Sequence, residues 1–130
     1  MILTVDLPWI LDVAREAGQD DPAPTDYGVA ISAVERHKAV LTDPGASPSP
    51  RPVYDGVFVR AAALTHTLGR LRWLERSNVR VAIAVAHGYL LASGVEVKID
   101  QTRVTALAVE LRRDDCTAES ITRVLKTWAT

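Results

Sequence analysis

The chain has 130 residues, close to the common size of one domain, and 48% of them are hydrophobic while 24% are charged. This balance excludes a largely disordered chain. The formal net charge of −1 excludes a global basic field, so we do not expect nucleic acid or an anionic membrane as a partner. A single cysteine, Cys116, excludes an intrachain disulfide and is typical of a reducing, cytoplasmic compartment.

No membrane segment or metal site is predicted. The longest apolar stretch, residues 81–92, is shorter than the roughly 20 residues that a membrane span needs. Residues 1–4 lack the pattern of a signal peptide. The histidines and the cysteine have no metal-ligand spacing, so zinc is not expected. We expect one soluble domain over residues 1–130.

The first predicted helix begins near Leu7 and ends at Gly18. Thr4 and Asp6 are candidate caps for its start. Pro8 falls in the first turn, where its missing N–H costs nothing.

A polar turn over residues 19–24 precedes a second predicted helix, which Thr25 or Asp26 caps and which runs to about Val40. Residues 42–52 contain four prolines, a glycine and two serines. Such a composition predicts a flexible surface loop with no regular element.

The second half of the chain predicts four more helices. They run from Tyr54 to about Leu71, from Asn78 to Ser93, from an Asp100 cap to Arg112, and from a Thr117 cap onward. The alternating residues 95–99 predict a short extended segment. The helix that starts at Asn78 is apolar around nearly its whole circumference, which indicates a central position. The sequence therefore predicts an all-α bundle of five to six helices around this helix.

Three segments resemble, in order, stretches of the Doc (death-on-curing) branch of the Fic family. Residues 25–34, TDYGVAISAV, resemble the family's dLGLLESAL stretch. Residues 54–68 resemble the helix that enters the active site, and residues 81–97 resemble the long helix that follows it. The resemblance covers about residues 3–128 and implies a compact helical Fic/Doc-like domain.

The family's signature, His-Pro-Phe-x-Asp-Gly-Asn-Lys-Arg, aligns with residues 72–80, RWLERSNVR. Only Asn78 and Arg80 keep the family residue. Arg72 stands at the histidine position, Arg76 at the acidic position and Val79 at the lysine position. The motif is therefore degenerate.

These substitutions affect both the general-base position and the metal-ligand position of the motif. In the family the histidine is the general base, and Arg72 cannot accept a proton because a guanidinium has no free acceptor. The acidic residue helps to hold Mg²⁺, which the guanidinium of Arg76 repels. The catalytic residue is thus unknown, and His66 is the remaining candidate for a displaced base, although a lone histidine on a helix is more often structural.

The resemblance implies ATP as the cofactor, with Mg²⁺ poorly held. It also implies phosphate binding by Asn78 and Arg80 at a helix start, where unpaired N–H groups attract anions. Arg72 and Arg76 add guanidinium groups suited to phosphate. Alternatively, the arginines are solvated or paired with carboxylates such as Glu75, and Asn78 is a helix cap.

Other motif residues predict structure. Trp73 and Leu74 are interpreted as packing residues. His37, which lies among charged residues, is interpreted as part of a solvated face.

Two main hypotheses follow. The first is a Doc-like toxin of a bacterial toxin–antitoxin pair. The toxin would modify a component of the translation machinery with a phosphoryl or adenylyl group, and a small antitoxin protein would bind the toxin. The second is a catalytically inactive Fic-like pseudoenzyme that binds a protein or a phosphate-bearing ligand. A weaker third is a local nucleic-acid contact through the arginines, which the net charge disfavours.

Overall fold

A computed structural model describes residues 2–18, 20–21, 23–42 and 50–129. In these residues the chain forms six helices and two short strands, which confirms the predicted all-α class. The elements are α1 (Leu7–Ala17), α2 (Tyr27–His37), β1 (Val40–Leu41), β2 (Arg51–Pro52), α3 (Val57–Arg70), α4 (Asn78–Ala92), α5 (Gln101–Arg112) and α6 (Ala118–Lys126).

Four helices begin at side-chain caps that the sequence predicted. In each, a side-chain oxygen accepts a hydrogen bond from a backbone N–H of the first turn, one of the groups that would otherwise lack a partner. The capping residues are Asp6, Asp26, Asp100 and Thr117.

The region after α2 differs from the prediction. The helix ends at His37 rather than near Val40, and β1 pairs antiparallel with β2, with Val40 opposite Pro52. The prediction of loop structure throughout 42–52 is therefore wrong for β2. Proline is tolerated because in a two-stranded ribbon each strand is an edge and can leave one N–H position unused. Residues 43–49 of the predicted flexible loop lie outside the described residues.

The third helix begins later than predicted, at Val57 instead of Tyr54. Gly56, immediately before it, has φ of 122°, a conformation that residues with a side chain rarely adopt. This glycine sets the break between the chain after β2 and the helix.

The core is centred on α3 and α4. Helix α3 packs against α2, α4, α5 and α6, and its alanines at 61–63 are fully buried, which lets neighbouring helices approach closely. Helix α4 lies in the core as predicted, with Val81, Val85 and Tyr89 fully buried. None of the helices described here is long and apolar enough to cross a membrane.

His37 is buried, with 1% of its surface exposed, so the prediction of a solvated face is wrong. Its Nδ1–H donates to the Val34 carbonyl at 2.5 Å, and its Nε2 accepts from the Val5 N–H at 3.1 Å. The Tyr89 hydroxyl also donates to the Leu3 carbonyl at 2.7 Å. The N-terminal segment thus covers the end of α2, and it is this cover that buries the imidazole.

Candidate functional site

The motif residues form the connection between α3 and α4 and the first turn of α4. Trp73 and Leu74 are buried in the core, which confirms their prediction as packing residues. The Thr25 N–H donates to the Trp73 carbonyl at 2.8 Å. The connection is therefore fixed both to the core and to the chain entering α2.

The side chain of Asn78 is hydrogen-bonded to the backbone of this connection. Its Oδ1 accepts from the N–H groups of Trp73 and Leu74 at 3.0 and 2.9 Å, and its Nδ2 donates to the Leu74 carbonyl at 2.8 Å. The amide thus makes three bonds to the backbone of its own loop. In this arrangement Asn78 shapes the loop, and few of its polar groups remain for a ligand.

A carboxylate from a distant part of the sequence is hydrogen-bonded to the residues at the start of α4. Asp21 Oδ2 accepts from the Ser77 N–H at 2.8 Å, from the Arg76 N–H at 3.3 Å and from the Ser77 hydroxyl. The Asp21 side chain is 4% exposed. The Ser77 N–H, at the N-cap of α4, is one of the groups that a helix start offers to an anion, and the Arg76 N–H lies directly before it, so the Asp21 carboxylate occupies part of the anion position.

The electrostatics keep Asp21 ionised. The hydrogen bond from the Ser77 hydroxyl is the main cause that lowers the pKa of Asp21, and the Ser77 and Arg76 N–H groups and the Arg76 charge lower it further. Hydrogen bonds to the charged form favour that form. The start of α4 therefore carries a permanent internal anion at neutral pH.

A close approach between α1 and α4 makes this contact possible. A Cβ atom on Gly18 would lie 2.5 Å from Ser77 Oγ and 3.0 Å from the Ala14 carbonyl oxygen. Only glycine allows the end of α1 to lie directly on the start of α4, from where the chain delivers Asp21.

The predicted phosphate-binding arginines are engaged to different degrees. Arg76 lies with its Nε 3.4 Å from Asp21 Oδ1 and its Nη1 3.5 Å from Glu75 Oε1. Arg72 Nη2 donates to the Glu75 carbonyl at 3.1 Å. Arg80 is exposed and donates to the Ala17 carbonyl at 3.4 Å.

The four predicted binding residues do not share one cleft. Arg76 and Arg80 line a cleft of 120 Å³ together with Asp20, Asp21 and Ser77. Arg72 and Asn78 line a separate cleft of 200 Å³. The structure thus divides the predicted site, and the part that contains two arginines also contains two carboxylates.

His66 lies on α3 between two other parts of the fold. Its Nδ1 accepts from Arg36 Nη1 at 2.8 Å, and its Nε2–H donates to the Cys116 carbonyl at 3.2 Å. Burial is the main cause that lowers the pKa of His66. Both ring nitrogens are engaged, and the cation beside Nδ1 disfavours a second proton, so the ring connects α2 to the turn before α6.

The donor set does not fit Mg²⁺. This ion requires oxygen ligands in octahedral geometry, and here the carboxylates of Asp21 and Glu75 both lie beside the Arg76 guanidinium. Within the described part of the chain, no group of three or more His, Cys, Asp or Glu residues is placed to hold a metal ion.

Asp21 is the residue that sequence reasoning missed. It lies 56 residues before Ser77, within a segment interpreted only as a polar turn. No local spacing relates the two residues, and the contact becomes visible only when α1 and α4 are packed together.

Comparisons of the chain with models of known protein families, with curated proteins and with solved structures found no match. The Fic/Doc resemblance therefore stays a hypothesis based on sequence, and the geometry of the site must support any function.

Proposed function

We propose that the protein is a Fic-like domain that has lost transferase chemistry and acts as a binding module for a protein partner. The observation that carries this proposal is the Asp21 carboxylate on the N–H groups of Arg76 and Ser77. A nucleotide phosphate at the start of α4 would lie beside this carboxylate. The two anions would repel each other strongly.

The lack of a base supports the proposal. A guanidinium has donors and no acceptor, and that of Arg72 donates to the Glu75 carbonyl. His66, the displaced candidate, is held by Arg36 and Cys116 and would have to break both bonds to reach a substrate. Arg72 therefore cannot act as a general base, and both ring nitrogens of His66 are engaged in this structure.

Exposed apolar residues favour a protein as the partner. Val40, Leu41 and Val53, on and beside the two-stranded ribbon, are 56%, 57% and 43% exposed. Successive side chains of a strand point to opposite faces, so Val40 and Leu41 offer apolar contacts to a protein on both sides of the ribbon. A small antitoxin-type protein in the cytoplasm is the partner class that the family resemblance supplies.

A second candidate function is the Doc-like toxin with an unusual mechanism. It is favoured by Arg80, which is exposed and, among the described residues, makes one long hydrogen bond, to the Ala17 carbonyl. Its guanidinium can therefore turn toward a phosphate if Asp21 is displaced. ATP would then be the cofactor, and a translation component would be the target.

A transfer assay separates the two functions. The purified protein is incubated with bacterial lysate, MgCl₂ and ATP labelled on the α- or the γ-phosphate, beside Arg80→Ala. We expect no labelled protein from either label, and normal growth of bacteria that express the protein. A labelled band or growth arrest that is lost in Arg80→Ala would establish the toxin and overturn the pseudoenzyme.

Partner binding is tested by co-expression with the product of an adjacent reading frame. We expect a complex that stays together in size-exclusion chromatography and that weakens in Leu41→Asp. A complex unaffected by Leu41→Asp would show that the ribbon is not the contact surface.

A further inference from the structure

A third cavity lies beside the anion position, between the C-terminal half of α1 and the start of α2. It has a volume of 320 Å³. Its walls are mainly apolar and include Leu11, Ala14, Pro24 and Leu74, together with Tyr27 and the charged residues Arg15 and Asp21. Mostly apolar concave sites with a few fixed polar groups are typical of small-molecule binding sites.

We propose that this cavity binds a small, planar, largely apolar molecule that carries one hydrogen-bond donor. The proposal is independent of the Fic resemblance and of whether the chain transfers phosphate. The cavity adjoins the cleft lined by Arg80, with which it shares Gly18 and Asp21.

The size of the cavity limits the ligand to one or two rings. Its volume is at the lower end of the range for ligand pockets, which extends from about 300 to 1,000 Å³. One wall is supplied by α1 and one by Leu74, which is 3% exposed and is held by Asn78. The connection between α1 and α2 supplies Gly18, Asp21, Ala23 and Pro24.

Asp21 supplies the polar anchor. Its Oδ2 accepts three hydrogen bonds from Arg76 and Ser77, whereas the only described group within reach of its Oδ1 is the Arg76 Nε at 3.4 Å. A carboxylate offers about four lone-pair positions, so Oδ1 can accept from a ligand N–H or O–H.

Tyr27 supplies a flat surface at the opening. It is the first residue of α2, and 47% of it is exposed although it lines the cavity. Aromatic rings stack favourably on other planar groups in offset geometry. A planar ligand would cover this ring and remove it from water.

The test uses indole as the probe and indene as its matched control, because the two have the same ring size and only indole has an N–H donor. Binding is followed through the backbone amide signals of the ¹⁵N-labelled protein. We expect saturable shifts at Gly18, Ala23 and Leu74 with indole, and binding about fivefold weaker with indene, the effect of one hydrogen bond.

Two variants with the same introduced residue locate the site. Ala23→Trp places an indole ring at an exposed position of the cavity wall and should abolish probe binding. Ile31 lies on α2 one turn after Tyr27 and is 47% exposed, and Ile31→Trp should leave probe binding unchanged. Equal binding of indole and indene, binding that survives Ala23→Trp, or no saturable shift at these amides would each overturn the proposal.

Discussion

The carboxylate of Asp21 and the hydroxyl and N–H of Ser77 form one contact across 56 residues of sequence, at the start of α4. It turns a potential binding position into a structural element, because a helix start with a carboxylate on its N–H groups is electrostatically satisfied. The stability of this region should therefore depend on the charge of Asp21.

Acid should destabilise the protein in part through Asp21. Because the pKa of Asp21 is lower in the folded chain, the unfolded chain binds more protons as the pH falls past about 3.8. The stabilisation is complete above that pH and is lost as the pH falls through the folded pKa. Asp21→Asn should unfold at a lower temperature than the wild type at pH 7, with a smaller difference near pH 3. Equal melting temperatures at pH 7 would contradict this.

Asn78→Ala should destabilise the fold rather than act as a selective binding mutant. It leaves the N–H groups of Trp73 and Leu74 without their acceptor, which costs about 1–3 kcal/mol for each buried group. Asn78→Asp keeps an acceptor for both and should cost less. Urea unfolding of the two variants measures the difference, and a cost of Asn78→Ala below about 0.5 kcal/mol would show that the loop does not need the amide.

Gly18→Ala should destabilise the chain through its clash with Ser77. The introduced Cβ would lie 2.5 Å from Ser77 Oγ, and replacing Ser77 by alanine removes that atom. The two substitutions should therefore be non-additive, with a coupling of about 0.5–3 kcal/mol in a double-mutant cycle. Additive effects would mean that the ends of α1 and α4 do not touch as described.

His37 should make stability depend on pH near neutrality. Burial is the main cause that lowers the pKa of His37 below 6.5, and the Lys38 and Arg60 charges lower it further. The folded chain therefore keeps the ring neutral where the unfolded chain is protonated, so stability is complete above pH 6.5 and falls below it.

The comparison is with His37→Leu, measured by urea unfolding at pH 7.5 and pH 5. The variant should lose about 1–3 kcal/mol at pH 7.5, because the Val5 N–H loses its acceptor. It should also show less pH dependence than the wild type, with the remainder due to His66, whose pKa is also lowered. An unchanged pH dependence would exclude His37 as the titrating group.

Local signals predicted much of the fold. Asp100 and Thr117 were recognised as caps because a short polar side chain before an apolar period acts within its own first turn. The bounds of α1, α4 and α5 were predicted to within a residue or two from local signals of the same range, such as the glycines at 18 and 94 that follow α1 and α4. These features depend on residues near one another in sequence.

The parts that were missed depend on distant contacts. His37 lies among charged neighbours, and only the return of Val5, 32 residues earlier, buries it. Arg76 and Arg80 share one cleft with Asp21, and Arg72 lines another. No residue near Asp21 in the sequence indicates that it lies in this cleft. Composition and periodicity carry no information on such pairings.

The most direct test of the central claim is a phosphate titration followed through the backbone amide signals of Arg76 and Ser77, in the wild type and in Asp21→Ala. If Asp21 occupies the anion position, phosphate at about 10 mM leaves these signals in place in the wild type and shifts them in Asp21→Ala. Saturable shifts of the same amides in the wild type would contradict this assignment of Asp21 and would support nucleotide binding at the start of α4.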